Sequence, residues 1–340
     1  MQVFADLTPN EFIIREVKKH LNNAKEINQI LAKHLNLSKS AIYRKLSSEV
    51  PFTFQEAITL AKIYGISIDN CIHGGSSCTG FQFPFSEEKK QSDVEYFSTI
   101  FWILKMHTNA KNNPQSEIFT LTQEIMPFQY LYFPELTSFQ ILLWSKATMR
   151  LRQTEEQSYK VEERSHAPEM RAIANDILKT YIGIPSTEFM SSSIIDQNLN
   201  AIVQFARQPY FEDKQTPLLL CEQLEQLVKY KFNMAKIGEK FDYNAGESSR
   251  TGVPFTLYHD PLANYGTIMY FKSNKRKTVY NSLDFPNFMS SSAENMLKYT
   301  EGWINNCRSH SFRISGEGEM YRTQLLQTLL KKIETIKKQL

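Results

Sequence analysis

No stretch of the 340 residues approaches the roughly 18 uninterrupted apolar residues of a membrane span, and the start Met1-Gln2-Val3-Phe4-Ala5-Asp6 lacks the basic stretch and apolar run of a leader. A cytoplasmic protein with no membrane partner is therefore the expectation. Cysteine is scarce: Cys71, Cys78, Cys221 and Cys307 are too few and too unevenly placed for the disulfide framework of a secreted domain. Excess charge of one sign is missing as well. With 39 Lys and Arg against 36 Asp and Glu, the net charge of +3 excludes a polycation that coats nucleic acid indiscriminately. No fixed-period repeat is present, so the many helical stretches do not imply a solenoid.

Motifs for chemistry are equally thin. None of the seven histidines falls in a spacing that implies a metal pair, and no serine lies in a nucleophile elbow. Gly316-Glu317-Gly318 lacks the third glycine and the Lys-Ser/Thr pair of a phosphate loop and reads as a turn. Cys71, His73 and Cys78 are close together and ligand-capable, but their spacing is not a zinc pattern, and a helix-end cysteine with two loop residues explains them. No enzyme activity, no cofactor and no metal are expected.

What the chain does have is a well-marked N-terminal run of helices. Thr8-Pro9 with Glu11, Asn23 with Glu26, and Thr53 with Glu56 each pair a capping residue with a glutamate three positions on. Ser38 marks another start, flanked by Leu37 and Ile42 at the spacing of a hydrophobic staple. Apolar residues recur with helical period: Phe12, Ile13, Val17 and Leu21; Ile27, Ile30, Leu31 and Leu35; Ile42 and Leu46; Phe54, Ala57, Ile58, Ala61 and Tyr64.

The stretch from 38 to 46 carries the functional signal. Burying Ile42 and Leu46 leaves Lys39, Ser40, Tyr43, Arg44 and Lys45 on the outer faces of a short helix. Lys and Arg neutralise phosphates, Arg bonds guanine bidentately, and Ser and Tyr offer hydroxyls. The competing reading is an ordinary solvated basic face. Leu31 to Ile42, Leu-Ala-Lys-His-Leu-Asn-Leu-Ser-Lys-Ser-Ala-Ile, with Ala57 to Asp69 ending Leu-Ala-Lys-Ile-Tyr-Gly-Ile-Ser-Ile-Asp, resembles the Cro/C1 (Xre) helix-turn-helix family over about residues 10 to 72. The resemblance places a small residue, Ala32, where the third helix crosses the second. It assigns DNA contacts to Ser38, Lys39, Ser40, Tyr43 and Arg44, and a phosphate contact to Asn28; Lys45 joins them from its charge. The family often has Gln where Asn28 and Lys39 stand, so its base preference does not transfer.

Residues 73–92 change composition: Gly and Ser suggest a joint, and Phe81, Phe83 and Phe85 suggest that the joint docks onto a neighbouring domain. Residues 93–245 read as helical, including a charged helix from about 135 through 164 and another opened by Thr216-Pro217. Beyond 250, alternation at Val253–Tyr258, Thr267–Lys272 and Lys277–Tyr280 reads as short strands. Ser291 with Glu294, and then Arg322 to Leu340, give helices. The last has an apolar stripe wide enough for a dimer seam, or for packing on its own lobe. Lys272, Lys275, Arg276 and Lys277 at the hairpin tip read as a solvated turn rather than a second DNA contact.

The expected fold is predominantly α: a lambda-repressor-like helix-turn-helix bundle (1–72), a linker (73–92), a helical domain (93–245) and a small α+β lobe with a short antiparallel sheet (250–340), the last two packing separately or as one unit. The expected function is a sequence-specific transcription regulator that binds double-stranded DNA as a homodimer. Its C-terminal region would dimerise and respond to a small-molecule or protein effector. The alternatives are a protein-interaction scaffold without specific DNA binding, and a DNA-tethered enzyme with its site in the C-terminal region.

Overall fold

The computed structural model describes residues 7–21, 26–64, 66, 68, 80–82, 94–95, 98, 113, 115–147, 160–165, 167–208, 210–263, 266–273, 276–284 and 287–340. The chain forms two compact units, residues 1–82 with 291–298 and residues 83–290 with 299–340. Among the described residues no helix is long and apolar enough to cross a membrane.

In the first unit, α1 (Pro9–His20), α2 (Ile27–Leu35), α3 (Lys39–Leu46) and α4 (Phe54–Tyr64) enclose Phe12, Ile13, Val17, Leu31, Ile42, Leu60 and Ala61. Their boundaries have local causes. Thr8 and Glu11 exchange backbone and side-chain hydrogen bonds, with Pro9 at the first helical position. Thr53 and Glu56 do the same at the start of α4. Asn36 ends α2 in the left-handed region (φ 53°), which its short polar side chain tolerates. Ser38 then caps α3, its Oγ accepting from the Ala41 amide at 3.2 Å. The start expected at Asn23 lies outside the described residues, as do Cys71, His73 and Cys78; of the expected joint, only residues 80–82 are described.

The second unit is built on a mixed sheet of eight strands: β1 (Glu117–Thr122), β2 (Ser186–Met190), β3 (Glu239–Phe241), β4 (Arg250–His259), β5 (Ile268–Lys272), β6 (Lys277–Asp284), β7 (Asn287–Ser291) and β8 (Phe312–Arg313). Their order is β3-β4-β2-β1-β5-β6-β7, with β8 beside the far end of β4. β1, β2 and β4 are parallel and in register, so that Thr122, Met190 and His259 end in one row. β5 pairs antiparallel with β1 and β6 with β5.

Parallel neighbours need long crossovers, and helices supply them. A 3-10 turn (Pro127–Tyr132), α5 (Pro134–Ala147), α6 (Val161–Ser165) and α7 (Pro168–Ile182) lie between β1 and β2; α8 (Asp196–Phe205) and α9 (Thr216–Ile237) lie between β2 and β3. α10 (Glu294–His310) and α11 (Glu319–Lys337) complete the chain. Ile118, Met190, Phe255, Leu257 and Phe271 pack with α5, α7, α8, α9 and α11 in one core. On the opposite face Phe119 stacks on Tyr270, and Phe189 on Tyr258. Arg308 of α10 lies 5.3 Å from the Phe119 ring, and Tyr270 Oη donates to Glu301 at 2.6 Å.

This overturns the expected fold class. The sheet is neither short nor purely antiparallel, and two of its central strands come from the stretch read as helical. The reason is burial on both faces: β1 and β2 are buried almost throughout, so no polar face exists to produce alternation. The buried carboxylate of β2 is partnered from other elements instead. Glu188 on β2 accepts from Tyr181 Oη (2.8 Å) and Gln129 Nε2 (2.9 Å) and pairs with Lys231 of α9. Lys240 donates to the carbonyls of Ile184 (2.6 Å) and Tyr181 (2.8 Å) and lies over the Tyr181 ring. Buried charge persists where such partners are complete.

The charged helix expected over 135–164 is described only at Pro134–Ala147 and Val161–Ser165. The apolar stripe of α11 is covered within its own unit: Leu325, Leu329 and Ile333 are buried in the core shared with α9 and α8. At the hairpin, Lys277 pairs with Glu301 at 2.8 Å and Arg276 Nε donates to Thr278, so two of the basic residues there are engaged. Lys275 lies outside the described residues.

Candidate nucleic-acid interface

α2 and α3 are joined by three residues, Asn36 to Ser38, and α3 is eight residues long, about 12 Å at the helical rise. A B-form major groove is about 12 Å wide and admits such a rod. The inward side of α3 is fixed by Ile42, which is fully buried, and by Leu46, which packs on the same core. Ala32 of α2 packs against that core too, and its small side chain suits a close helix crossing.

Lys39, Ser40, Tyr43 and Arg44 are exposed together on the outward side, Tyr43 at 61%. Each has a defined surrounding. Lys39 Nζ donates to Gln29 Oε1 at 3.0 Å, tying the first turn of α3 to the first turn of α2. Ser40 Oγ lies 3.0 Å from Ser38 Oγ, so the cap and the exposed hydroxyl form one pair. Arg44 lies 3.6 Å from Glu49, and both are more than half exposed; such a pair is weak and exchanges readily for a phosphate or a base edge.

Two of the expected contact residues differ from this group. Asn28 is half-buried, and among the described residues its Oδ1 has no hydrogen-bond partner. Lys45 does not belong to the outward face at all. It is 6% exposed, its Nζ donating to Glu56 Oε2 (2.8 Å) and to the Pro51 carbonyl (3.0 Å), and it lies 5.5 Å from the Phe52 ring. The physical reason is the capping box of α4: the Glu56 carboxylate that accepts from the Thr53 amide also faces inward, and Lys45 neutralises it. Burial alone would raise the Glu56 carboxyl, but Lys45 and Thr53 together hold it below its ordinary value.

Gln29 was not among the expected contacts. It is exposed beside Asn28 at the start of α2 and holds Lys39 in place. The available signal was the glutamine often found at the neighbouring position in the family that this stretch resembles. Glu11, at the start of α1, is likewise drawn below its ordinary value by the hydrogen bonds from Thr8, which keeps a negative charge at that helix N-terminus.

The chain matches no protein-family model, no curated protein and no solved structure. The functional reading therefore rests on the residues and their arrangement.

Proposed function

We propose that the first unit binds double-stranded DNA in a sequence-specific way and that the protein is a cytoplasmic transcription regulator. The observation that supports this most is the division of α3 into two sides, with Ile42, Lys45 and Leu46 turned into the fold and Lys39, Ser40, Tyr43 and Arg44 presented together outward. In this reading Arg44 leaves Glu49 for a guanine edge or a phosphate, Lys39 and Gln29 contact the backbone, and Ser40 and Tyr43 supply hydroxyls.

Residues 1–70 hold nine Lys and Arg against seven Asp and Glu, and one of those cations, Lys45, is neutralised inside the fold. Electrostatic attraction by one head is therefore modest, and two heads on half-sites about 34 Å apart supply the affinity. The second unit would then hold the heads together and carry the response to an effector.

A protein-docking head is the second reading, favoured by Phe54 (75% exposed) and Ile63 (45%) on α4. Recovery of genomic fragments on the full chain separates the two. A defined set of related, two-fold symmetric sites supports the regulator; uniform weak recovery lost at moderate salt supports the scaffold.

A further inference from the structure

The row formed by the C-terminal ends of β1, β2 and β4 is the edge at which open α/β sheets hold their ligands. Asp260 follows β4 directly on this edge, its amide bonded to the Met190 carbonyl at 2.9 Å. The turn Asp260-Pro261-Leu262 pins its carboxylate: Oδ1 accepts from the Leu262 amide at 2.9 Å. The side chain is 1% exposed, and among the described residues Oδ2 has no hydrogen-bond partner. A buried carboxylate oxygen without a donor is costly, and a bound cation removes that cost.

Two further ligand-capable groups come from α10. Cys307 and His310 are three residues apart and so share one side of the helix. Cys307 is a free, buried thiol, whereas the His310 side chain is 29% exposed. His310 Nε2 is 3.4 Å from Asp260 Oδ1, and one ligand atom from each of the three residues lies within 4.8 Å of the others. In a tetrahedral zinc site with bonds of about 2.0 to 2.3 Å, the ligand atoms are about 3.3 to 3.7 Å apart. The Asp–His pair already has that spacing, and closing the longest pair takes a movement of about 1 Å.

We propose that Asp260, Cys307 and His310 bind a divalent transition-metal ion, for which Zn2+ is the fitting species. One thiolate, one imidazole and one carboxylate form a borderline-soft donor set, unsuited to Mg2+ or Ca2+, which take oxygen ligands. Binding forms the Sγ–metal bond and releases the Cys307 thiol proton to solvent. The fourth position, on the side where His310 reaches water, is left for a water molecule or an exogenous donor. Metal binding here is independent of whether α3 meets DNA.

The test uses the full chain, stripped by a chelator and titrated with Co2+ as the spectroscopic probe. The expected result is one Co2+ per chain, with a near-ultraviolet sulfur-to-cobalt charge-transfer band and visible bands of tetrahedral strength, displaced by one equivalent of Zn2+. Cys307→Ser removes the charge-transfer band. The partly exposed His310→Ala, chosen because it leaves the core intact, weakens Co2+ binding at least about 10-fold with an unchanged circular dichroism spectrum. The Cys71→Ser/Cys78→Ser pair and Cys221→Ser leave the band in place. Absence of stoichiometric binding overturns the proposal. So does a band that survives Cys307→Ser, or one that disappears with Cys71 and Cys78.

Discussion

Glu188→Gln removes the negative charge that faces Lys231 and Lys240 inside the second unit, where the three residues are 0%, 4% and 0% exposed. The amide keeps the shape and retains an oxygen for Lys231, and Gln129 Oε1 still accepts from that amine at 3.1 Å. What is lost is the compensation of a buried cation. Breaking such a pair from one side costs about 3 to 5 kcal/mol, because the remaining charge has neither water nor counter-ion. In a domain of this size each kcal/mol shifts the midpoint by about 2 to 4 °C, so the variant melts roughly 6 to 20 °C lower.

The pH response gives a second readout. Burial by itself would raise the Glu188 carboxyl, but Lys231, Lys240 and Gln129 outweigh it and hold the group below its ordinary value of 4.5. A depressed carboxylate contributes stability in full above its unfolded-state value and loses it as pH falls through the lower folded-state value. Glu188→Gln removes that acid-side loss. Thermal unfolding of the full chain, followed by near-ultraviolet circular dichroism from pH 3 to 8, measures both effects. Glu188→Leu with Lys231→Met should recover most of the stability, since apolar replacement of a whole buried pair is close to neutral. A single variant melting within about 2 °C of the wild type, or a double variant as unstable as the single, refutes the reasoning.

The other predictions concern smaller groups. Lys45→Ala removes the amine that neutralises Glu56 and donates to the Pro51 carbonyl, and lowers the stability of the first unit by about 1 to 3 kcal/mol, whereas Arg44→Ala leaves it unchanged; equal melting curves would return Lys45 to the outward face. Burial pushes Glu124 up to about 7. An acid with a raised folded-state value favours folding less as pH climbs from its unfolded value through 7, so Glu124→Gln flattens that decline, and parallel pH profiles would contradict it. At Gly318 an added Cβ would lie 2.3 Å from the Arg313 carbonyl oxygen and 2.8 Å from Ile314 Cα. Gly318→Ala should cost about 1 to 3 kcal/mol, and an unchanged melt would show that the turn yields.

Local patterns were legible in the amino-acid sequence, and long-range partnerships were not. The alternation read at 253–258 and 277–280 falls within the strands at 250–259 and 277–284, and that read at 267–272 overlaps the strand at 268–272, with Thr267 just outside it. Ser186-Thr187-Glu188-Phe189-Met190 gives no such pattern. Its glutamate is a core residue only because Lys231 and Gln129 arrive from other elements. α11 reads as amphipathic from its leucines, but nothing local says that α9 covers the stripe.

The same distinction governs the sites. Ser40, Tyr43 and Arg44 read as outward from helical period alone. Lys45 read as outward from its charge, and Glu56, three residues beyond Thr53, is the partner that turns it inward. Cys307 and His310 show a helical i, i+3 relation, yet Asp260, which joins them to form a donor set, is separated from them in the chain by three strands and most of α10.

The most direct measurement of DNA reading is a fluorescence-anisotropy titration of the full chain on a duplex selected from random sequence, beside a scrambled duplex, at several salt concentrations. The account predicts a preference of about 10³-fold or more for the selected site at physiological salt. It also predicts a loss of about 1 to 3 kcal/mol on that site in a folded Arg44→Ala variant. Equal affinity for both duplexes, or full binding by Arg44→Ala and Tyr43→Ala together, would contradict it.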